Sequence, residues 1–333
     1  MKIFLTGVTG FVGSALLQRF VADGVEVKAL VRNEAAVLSN GVKRVVGDLS
    51  ALSSAGDPSA LPQDDSNDSH GMTLQDCDVV VHAAARAHIM RDEVADPLAE
   101  YRKVNRDATL ALARLAAEVG VKRFVFVSSV KVNGEVTRPG HCFSHTDEHV
   151  PSDPYGLSKY EAEQGLLQIA RETSMVVVII RPPLVYGPNV KGNFASMVNW
   201  VKKGIPLPLG AVHNLRSLVA LDNLVDFIAL CADRERSPKA ANEVFLISDG
   251  EDVSTSDLLR KVAKAYGVKS RLLPVPVGLM KVAAKLLDKG AVADRLFGNL
   301  QVDSSKARDL LGWQPVITMD EQLAKMAALD KSK

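Results

Sequence analysis

Met1-Lys2-Ile3-Phe4-Leu5-Thr6-Gly7-Val8-Thr9-Gly10-Phe11-Val12-Gly13-Ser14-Ala15-Leu16-Leu17 opens the chain. Ile3 to Leu5 is a short apolar run of buried-strand length that stops on glycine, and Phe11 to Asp23 carries apolar residues at helical spacing. Between them Gly7, Gly10 and Gly13 stand three apart, as GxxGxxG. In a strand–turn–helix unit these glycines have separate duties. Gly7 permits the tight turn, Gly10 lets backbone approach a pyrophosphate, and Gly13 lets the helix pack on the strand. The helix N-terminus then faces the phosphates with its free N–H groups and the positive end of its dipole. Thr9, Phe11 and Val12 share the turn. The stretch predicts a dinucleotide-binding βαβ unit.

Further strands follow at Val25–Val31, Val42–Val46, Val79–His82, Phe124–Val127 and Val176–Ile180, with helices at Pro97–Val119 and Pro154–Thr173. Strands that alternate with helices predict right-handed βαβ units and an α/β fold, a Rossmann-type doubly wound parallel sheet. Residues 1–180 form the dinucleotide domain in this reading. Val219–Leu221 and Val244–Ile247 are expected to return to its sheet, within a returning segment of about 215–248. After Arg181, prolines and short helices mark a smaller C-terminal substrate lobe, residues 181–214 and 249–333. Residues 50–71 are rich in Ser, Asp, Pro and Gly and read as an exposed, mobile insert.

Composition narrows the function classes. The 333 residues carry a formal net charge of +1, so nothing points to nucleic acid or to a membrane partner. Cys77, Cys142 and Cys231 are scattered and odd in number, which argues against a disulfide framework and against a zinc site; no metal is expected. No apolar run approaches the ~20 residues of a spanning helix. A soluble, cytoplasmic protein is expected.

The ends of the parallel strands should hold the cofactor. Val31-Arg32-Asn33 closes the second strand without an acidic residue. An acid there binds the ribose 2′-hydroxyl, whereas Arg32 can pair with a 2′-phosphate, which favours NADP(H) over NAD(H). Asp48, followed by Leu49, is placed to accept from the adenine amino group. Ala83, Ala84 and Ala85 leave room for ribose and nicotinamide, and Asn105 belongs to a helix flanking that side. His82 reads as a satisfied core histidine.

Pro154-Tyr155-Gly156-Leu157-Ser158-Lys159 places Tyr155 and Lys159 four apart on one helix face. A free tyrosine titrates near ~10; an adjacent ammonium and an oxidised nicotinamide favour its phenolate. Tyr155 can then exchange a proton with a sugar hydroxyl or carbonyl while hydride moves, and Lys159 can hold the nicotinamide ribose. Ser128-Ser129 at the end of the fifth strand offers a hydroxyl to the same oxygen.

These motifs together with Arg181-Pro182-Pro183 resemble the extended short-chain dehydrogenase/reductase family, the NAD-dependent epimerase/dehydratase group, over nearly the whole chain. Ser129 then matches the family's catalytic Ser/Thr, five residues before Gly134, and Asn133 replaces the family's usual tyrosine. Val130 and Lys131 stand where the 4,6-dehydratases carry Asp-Glu, so dehydration is not expected. The resemblance implies Pro182 in the cofactor wall and Arg86, His88, Ser129, Lys131, Asn193 and Arg216 at a UDP-sugar, with Arg216 on the diphosphate. It also implies a homodimer. The activity expected first is NAD(P)H-dependent reduction of the C4 ketone of a UDP-4-keto-6-deoxy-N-acetylhexosamine, as in bacterial surface polysaccharide synthesis. The alternative is a UDP-sugar 4-epimerase, on UDP-glucose or UDP-N-acetylglucosamine, using bound NAD.

Overall fold

The computed structural model describes residues 1–49, 63–64, 74–86, 96–287 and 290–332. Eight strands form the main sheet: β1 (Lys2–Thr6), β2 (Glu26–Val31), β3 (Lys43–Val46), β4 (Gln63–Asp64), β5 (Val79–His82), β6 (Arg123–Val127), β7 (Val176–Arg181) and β10 (Glu243–Leu246), in the order β10-β7-β6-β5-β1-β2-β3-β4. All neighbours pair in parallel except β3 with β4. The chain leaves β1 toward β2 and β3, then returns to β5 on the other side of β1. The β1/β5 crevice is therefore the topological switch point, where such sheets bind ligands.

Strand periodicity of two divides the core. Ile3, Leu5, Val79, Val81, Val125, Val178 and Ile180 face one side. Phe4, Val80, Phe124, Phe126, Val177 and Ile179 face the other. Every one of them is essentially inaccessible, which is why these strands read as continuous apolar runs. Helix α1 (Phe11–Ala22) covers the first face. The second is covered by a helical run of α2 (Pro97–Tyr101), a π-helical turn (Arg102–Asp107) and α3 (Ala108–Glu118), with α4 (Pro154–Glu172) beside it.

The returning segment differs from expectation in one strand. Val244–Ile247 does supply β10, beside β7. Val219–Leu221 does not enter the main sheet: β9 (Arg216–Ala220) pairs with β8 (Leu184–Tyr186) and β11 (Asp252–Val253) in a separate three-stranded sheet. That choice depends on long-range pairing, not on local pattern. It carries α5 (Gly192–Lys202), α6 (Leu221–Ala232) and α7 (Thr255–Tyr266) into position. Helix α6 packs on α1 in the main core, with Leu224, Phe227 and Ile228 buried. The lobe has its own core, built on Tyr186, Phe194, Val198, Leu259, Val262 and Leu323.

Helices α8 (Val277–Leu286) and α9 (Gly290–Phe297) complete the lobe's rim. Then α10 (Ser305–Leu311) crosses back: Ala307 and Trp313 are buried in the dinucleotide domain's core, and the Trp313 indole donates to Asp226 at 3.0 Å. Residues around 305–313 thus pack with the first domain rather than with the 249–333 lobe. The chain closes with α11 (Met319–Lys331), held at its start by a Thr318/Glu321 capping box. Of the 50–71 insert only Gln63–Asp64 is described, as β4; the rest of it and His88 lie outside the described residues. Among the described residues, no helix is long and apolar enough to cross a membrane.

Candidate active site

The turn after β1 lies against the start of the loop after β5. Gly7 has φ +76°, and a Cβ on it would fall 2.7 Å from the Ala83 carbonyl carbon and the Ala84 nitrogen. A Cβ on Gly13 would fall 2.0 Å from the Gly7 carbonyl oxygen. Both positions therefore require glycine on contact grounds alone. Thr9 and Gly10 are exposed, Phe11 and Val12 are half-buried, and no side chain caps α1. Its first N–H groups are left to an acceptor from outside. A dinucleotide pyrophosphate fits this cradle, which a single Cβ would fill.

The loop above it is fixed by a chain of hydrogen bonds through His82. The Ala84 amide donates to Thr6 Oγ1 at 3.2 Å, and that hydroxyl bonds His82 Nδ1 at 2.8 Å. On the ring's other side Nε2 meets Thr109 Oγ1 at 2.9 Å, and Thr109 donates to the Asn105 carbonyl at 2.8 Å. Each group has one role only if Nε2 carries the proton and Nδ1 accepts. The ring stacks near Phe126 and leans on Phe124, both 5.8 Å between centroids. Burial, with the Lys159 charge adding to it, pushes the imidazole down to about 3, so His82 stays neutral.

Asn105 sits in the π-helical turn, fully buried, and makes three hydrogen bonds to the protein. Its Oδ1 accepts from the Arg86 amide at 2.9 Å, and its Nδ2 donates to the Arg86 carbonyl at 3.2 Å and to Ser158 Oγ at 3.1 Å. Both N–H donors of this side chain are used on the protein, and it ties the 83–86 loop to α4. Leu49 is likewise buried in the core. Ala83 and Ala84 are half-buried, and Ala85, Asp48 and Arg32 are exposed. Arg32, at the end of β2, makes no ion pair among the described residues.

The proposed reacting groups converge at the ends of β6 and α4. Asp153 caps α4, accepting from the Gly156 amide at 3.0 Å, which fixes the first turn carrying Tyr155. Tyr155 is half-buried and its phenol is hydrogen-bonded to Ser129. Burial pushes the phenol up to about 12, and the Ser129 hydrogen bond works against that rise. The Tyr101 ring meets the Tyr155 ring edge-on at 5.9 Å, and Arg86 lies over Tyr101 at 5.6 Å. Lys159 is buried; its Nζ donates to the Val127 carbonyl at 3.0 Å and lies 4.5 Å from the Phe126 ring centre. Burial lowers it to about 7 and the Glu163 charge opposes this. Lys131 pairs with Glu135 at 2.6 Å and with Asp153 at 3.3 Å.

The lobe supplies the facing wall. Arg216 opens β9 and donates to the Gly298 carbonyl at 3.1 Å; burial lowers its pKa from the usual arginine value. Next to it a cleft of about 470 Å³ is lined by Thr137, Val212, Asn214, Val277, Phe297 and Asn299, among others. Asn193 is exposed in the first turn of α5, with Phe194 buried beneath it. Pro182 is buried and its carbonyl accepts from the Val130 amide at 3.0 Å, so it braces the Ser129 turn.

The family model described as "NAD dependent epimerase/dehydratase family" matches residues 3–247. A Vibrio cholerae UDP-glucose 4-epimerase is 47% identical over 98% of this chain and 94% of its own length. The chain belongs to the NAD-dependent epimerase/dehydratase family. It is accordingly an enzyme, and a nicotinamide dinucleotide is its cofactor. An Escherichia coli O157:H7 enzyme named N-acetyl-alpha-D-glucosaminyl-diphospho-ditrans,octacis-undecaprenol 4-epimerase is 28% identical over 84% of this chain and 77% of its own. The fold matches that of Thermotoga maritima UDP-glucose 4-epimerase with UDP-glucose, at TM-score 0.75 and 22% identity, covering 100% of this chain and 99% of the other.

Against the family pattern Asn133 stands where a tyrosine is usual, and the structure gives it a defined place. Its Oδ1 accepts from Arg181 Nη1 at 3.1 Å and its Nδ2 donates to the Ser144 carbonyl at 2.7 Å. Arg181 in turn pairs with Glu163 at 2.6 Å, and Ser128 also donates to Glu163. Glu163 is fully buried. Sequence reasoning missed this carboxylate, although it lies four residues beyond Lys159 on the same helix face, where the i, i+4 rule could have found it. It missed Tyr101 and Ser158 as well, and neither carries a local signal.

Proposed function

We propose that this protein is a UDP-hexose 4-epimerase that interconverts UDP-glucose and UDP-galactose with NAD retained in the site. The observation that carries the reading is the Ser129–Tyr155–Lys159 cluster at the end of β6 and the start of α4 in a chain 47% identical to a UDP-glucose 4-epimerase over nearly its full length. Reduction of a UDP-4-keto-6-deoxy-N-acetylhexosamine, the activity expected first, yields to this alternative. Arg32 is the residue that favours NADP(H), whereas a family described as NAD dependent favours NAD.

Bound NAD supplies hydride acceptance and a positive charge. The residues do the rest. Tyr155 Oη removes the proton from the sugar O4 as C4 is oxidised and returns it when C4 is reduced from the other face. With its phenol held up at about 12 before cofactor binds, Tyr155 depends on nearby positive charge to act as a base. The buried Lys159 contributes to that charge. Ser129 donates to the same oxygen. Arg216 and the adjoining cleft hold the nucleotide diphosphate, Asn193 contacts it from α5, and Arg86 and Lys131 lie toward the hexose. A fixed diphosphate lets the freed hexose turn about its own linkage while the cofactor stays in place.

The test is direct. Purified protein is given UDP-glucose with no added reductant, and the nucleotide-sugars are separated. Appearance of UDP-galactose, and its conversion back, is expected. Failure to interconvert them, together with stoichiometric NADPH consumption on a UDP-4-keto-6-deoxy-N-acetylhexosamine, returns the reductase reading.

A further inference from the structure

Helix α8 breaks the rule that the other surface helices keep. Helix α7 buries Leu258, Leu259, Val262 and Tyr266 and turns Asp257, Arg260 and Lys264 outward. That is the usual division of an amphipathic helix. Helix α8 has no buried residue at all. Its inward face, Val277, Met280 and Ala284, is only half-buried, with Val277 and Met280 packed against the lobe core. Its outward face is apolar too: Leu279, Val282, Ala283 and Leu286 lie at i, i+3, i+4 and i+7, the spacing of one stripe. Leu279 is 64% exposed, Val282 59% and Leu286 82%, and Leu287 after the helix is 69% exposed. A stripe of large aliphatics facing outward on a soluble lobe marks an interaction surface.

The charges around it choose the occupant. Lys281 and Lys285 lie on the same exposed helix, beside the stripe, and neither has an ion pair among the described residues. Exposed Lys269 and Arg271 precede it; every charged residue from Val268 to Leu287 is basic, Asp288 follows directly, and Asp294 is exposed on the neighbouring α9. An apolar stripe with only cations among the charges of its own helix is the pattern of a helix that lies in the plane of an anionic membrane surface. We propose that α8 docks this protein peripherally on an anionic lipid bilayer, Leu279, Val282 and Leu286 entering the headgroup boundary with Lys281 and Lys285 at the phosphates. This differs from spanning, and it revises the expectation of no membrane partner. The same helix gives Val277 to the wall of the cleft beside Arg216, which holds the substrate in the function proposed above. Docking therefore sets that cleft about one helix diameter, roughly 10 Å, from the headgroups.

The experiment is co-sedimentation of the full chain with phosphatidylcholine vesicles and with vesicles of phosphatidylcholine mixed with phosphatidylglycerol. The wild type is expected on the anionic vesicles only, with partitioning that falls at least tenfold as salt is raised. The double variant L279E/L286E should lose at least tenfold in partitioning, and K281E/K285E should lose binding while the stripe stays intact. Both should keep the wild-type melting temperature and the wild-type turnover of soluble nucleotide-sugar, because all four side chains are exposed and outside the site. Equal partitioning of wild type and L279E/L286E overturns the proposal. So does absence of wild-type binding to anionic vesicles. If in that case light scattering shows the wild type to be an assembly that L279E/L286E splits, the stripe is covered by a second copy of the chain.

Discussion

Substituting His82 by glutamine tests the hydrogen-bond chain that positions the 83–86 loop. The wild-type imidazole is held at about 3, well below its ordinary value of 6.5. A depressed base binds fewer protons folded than unfolded, so between these two values the unfolded chain takes up a proton that the folded chain refuses. Stability contributed this way is intact above 6.5 and is lost as pH falls toward 3. Integrating the linkage relation from about pH 7 to about pH 4.5 gives roughly 2–3 kcal/mol of destabilisation from this one side chain. Carboxylates titrate in the same window, so the quantity to measure is the difference between wild type and His82→Gln. At about pH 7 the variant should be less stable by about 1–3 kcal/mol, because Thr6 and Thr109 lose a fitted partner. At about pH 4.5 that gap should shift by roughly 2–3 kcal/mol, so that it closes or changes sign, since glutamine does not titrate. Urea unfolding at the two pH values reads both numbers. A gap that stays the same at both refutes the neutral, Nε2-protonated histidine and the chain built through it.

Tyr155→Phe should lower turnover by about 10²-fold or more, the usual effect of losing a general acid–base, with nucleotide binding nearly unchanged; Ser129→Ala should be milder, and steady-state kinetics on both variants checks the order. Glu163→Gln leaves Arg181 buried without its counter-charge and should destabilise the fold by about 3–5 kcal/mol, measured by denaturant unfolding; a loss under about 1 kcal/mol refutes a structural role for the pair. Arg32→Ala should weaken NAD and NADP(H) alike if the guanidinium reads no 2′-phosphate, and titration with both cofactors decides it; selective loss of NADP(H) restores the phosphate reading.

What the sequence made legible was local. The GxxGxxG turn, the strand ends at His82 and Ser129, and the helix from Pro154 were readable because each is set by residues close together in the chain; their boundaries in the structure differ by a residue or two. What escaped depends on contacts between distant segments. The β9 strand was assigned to the main sheet because it is apolar, but pairing with β8 and β11 sets its place. For Asn105 the helix is legible in the sequence, but the π-helical turn that aims its amide at the Arg86 backbone and Ser158 is not. Glu163 was overlooked because a buried carboxylate is recognised by its partners, Arg181 and Ser128, and these come from β7 and the end of β6. For α8, periodicity alone could not distinguish the half-buried face from the stripe that faces out.

The central claim is that one site removes hydride from C4 and returns it to the opposite face of the same sugar. Incubating the protein with UDP-glucose deuterated at C4 tests this most directly. The account predicts UDP-galactose that retains deuterium at C4, with no net change in reduced nicotinamide. Galactose epimer that has lost the label, or no epimer at all while NADPH is consumed on a 4-keto-sugar, contradicts it.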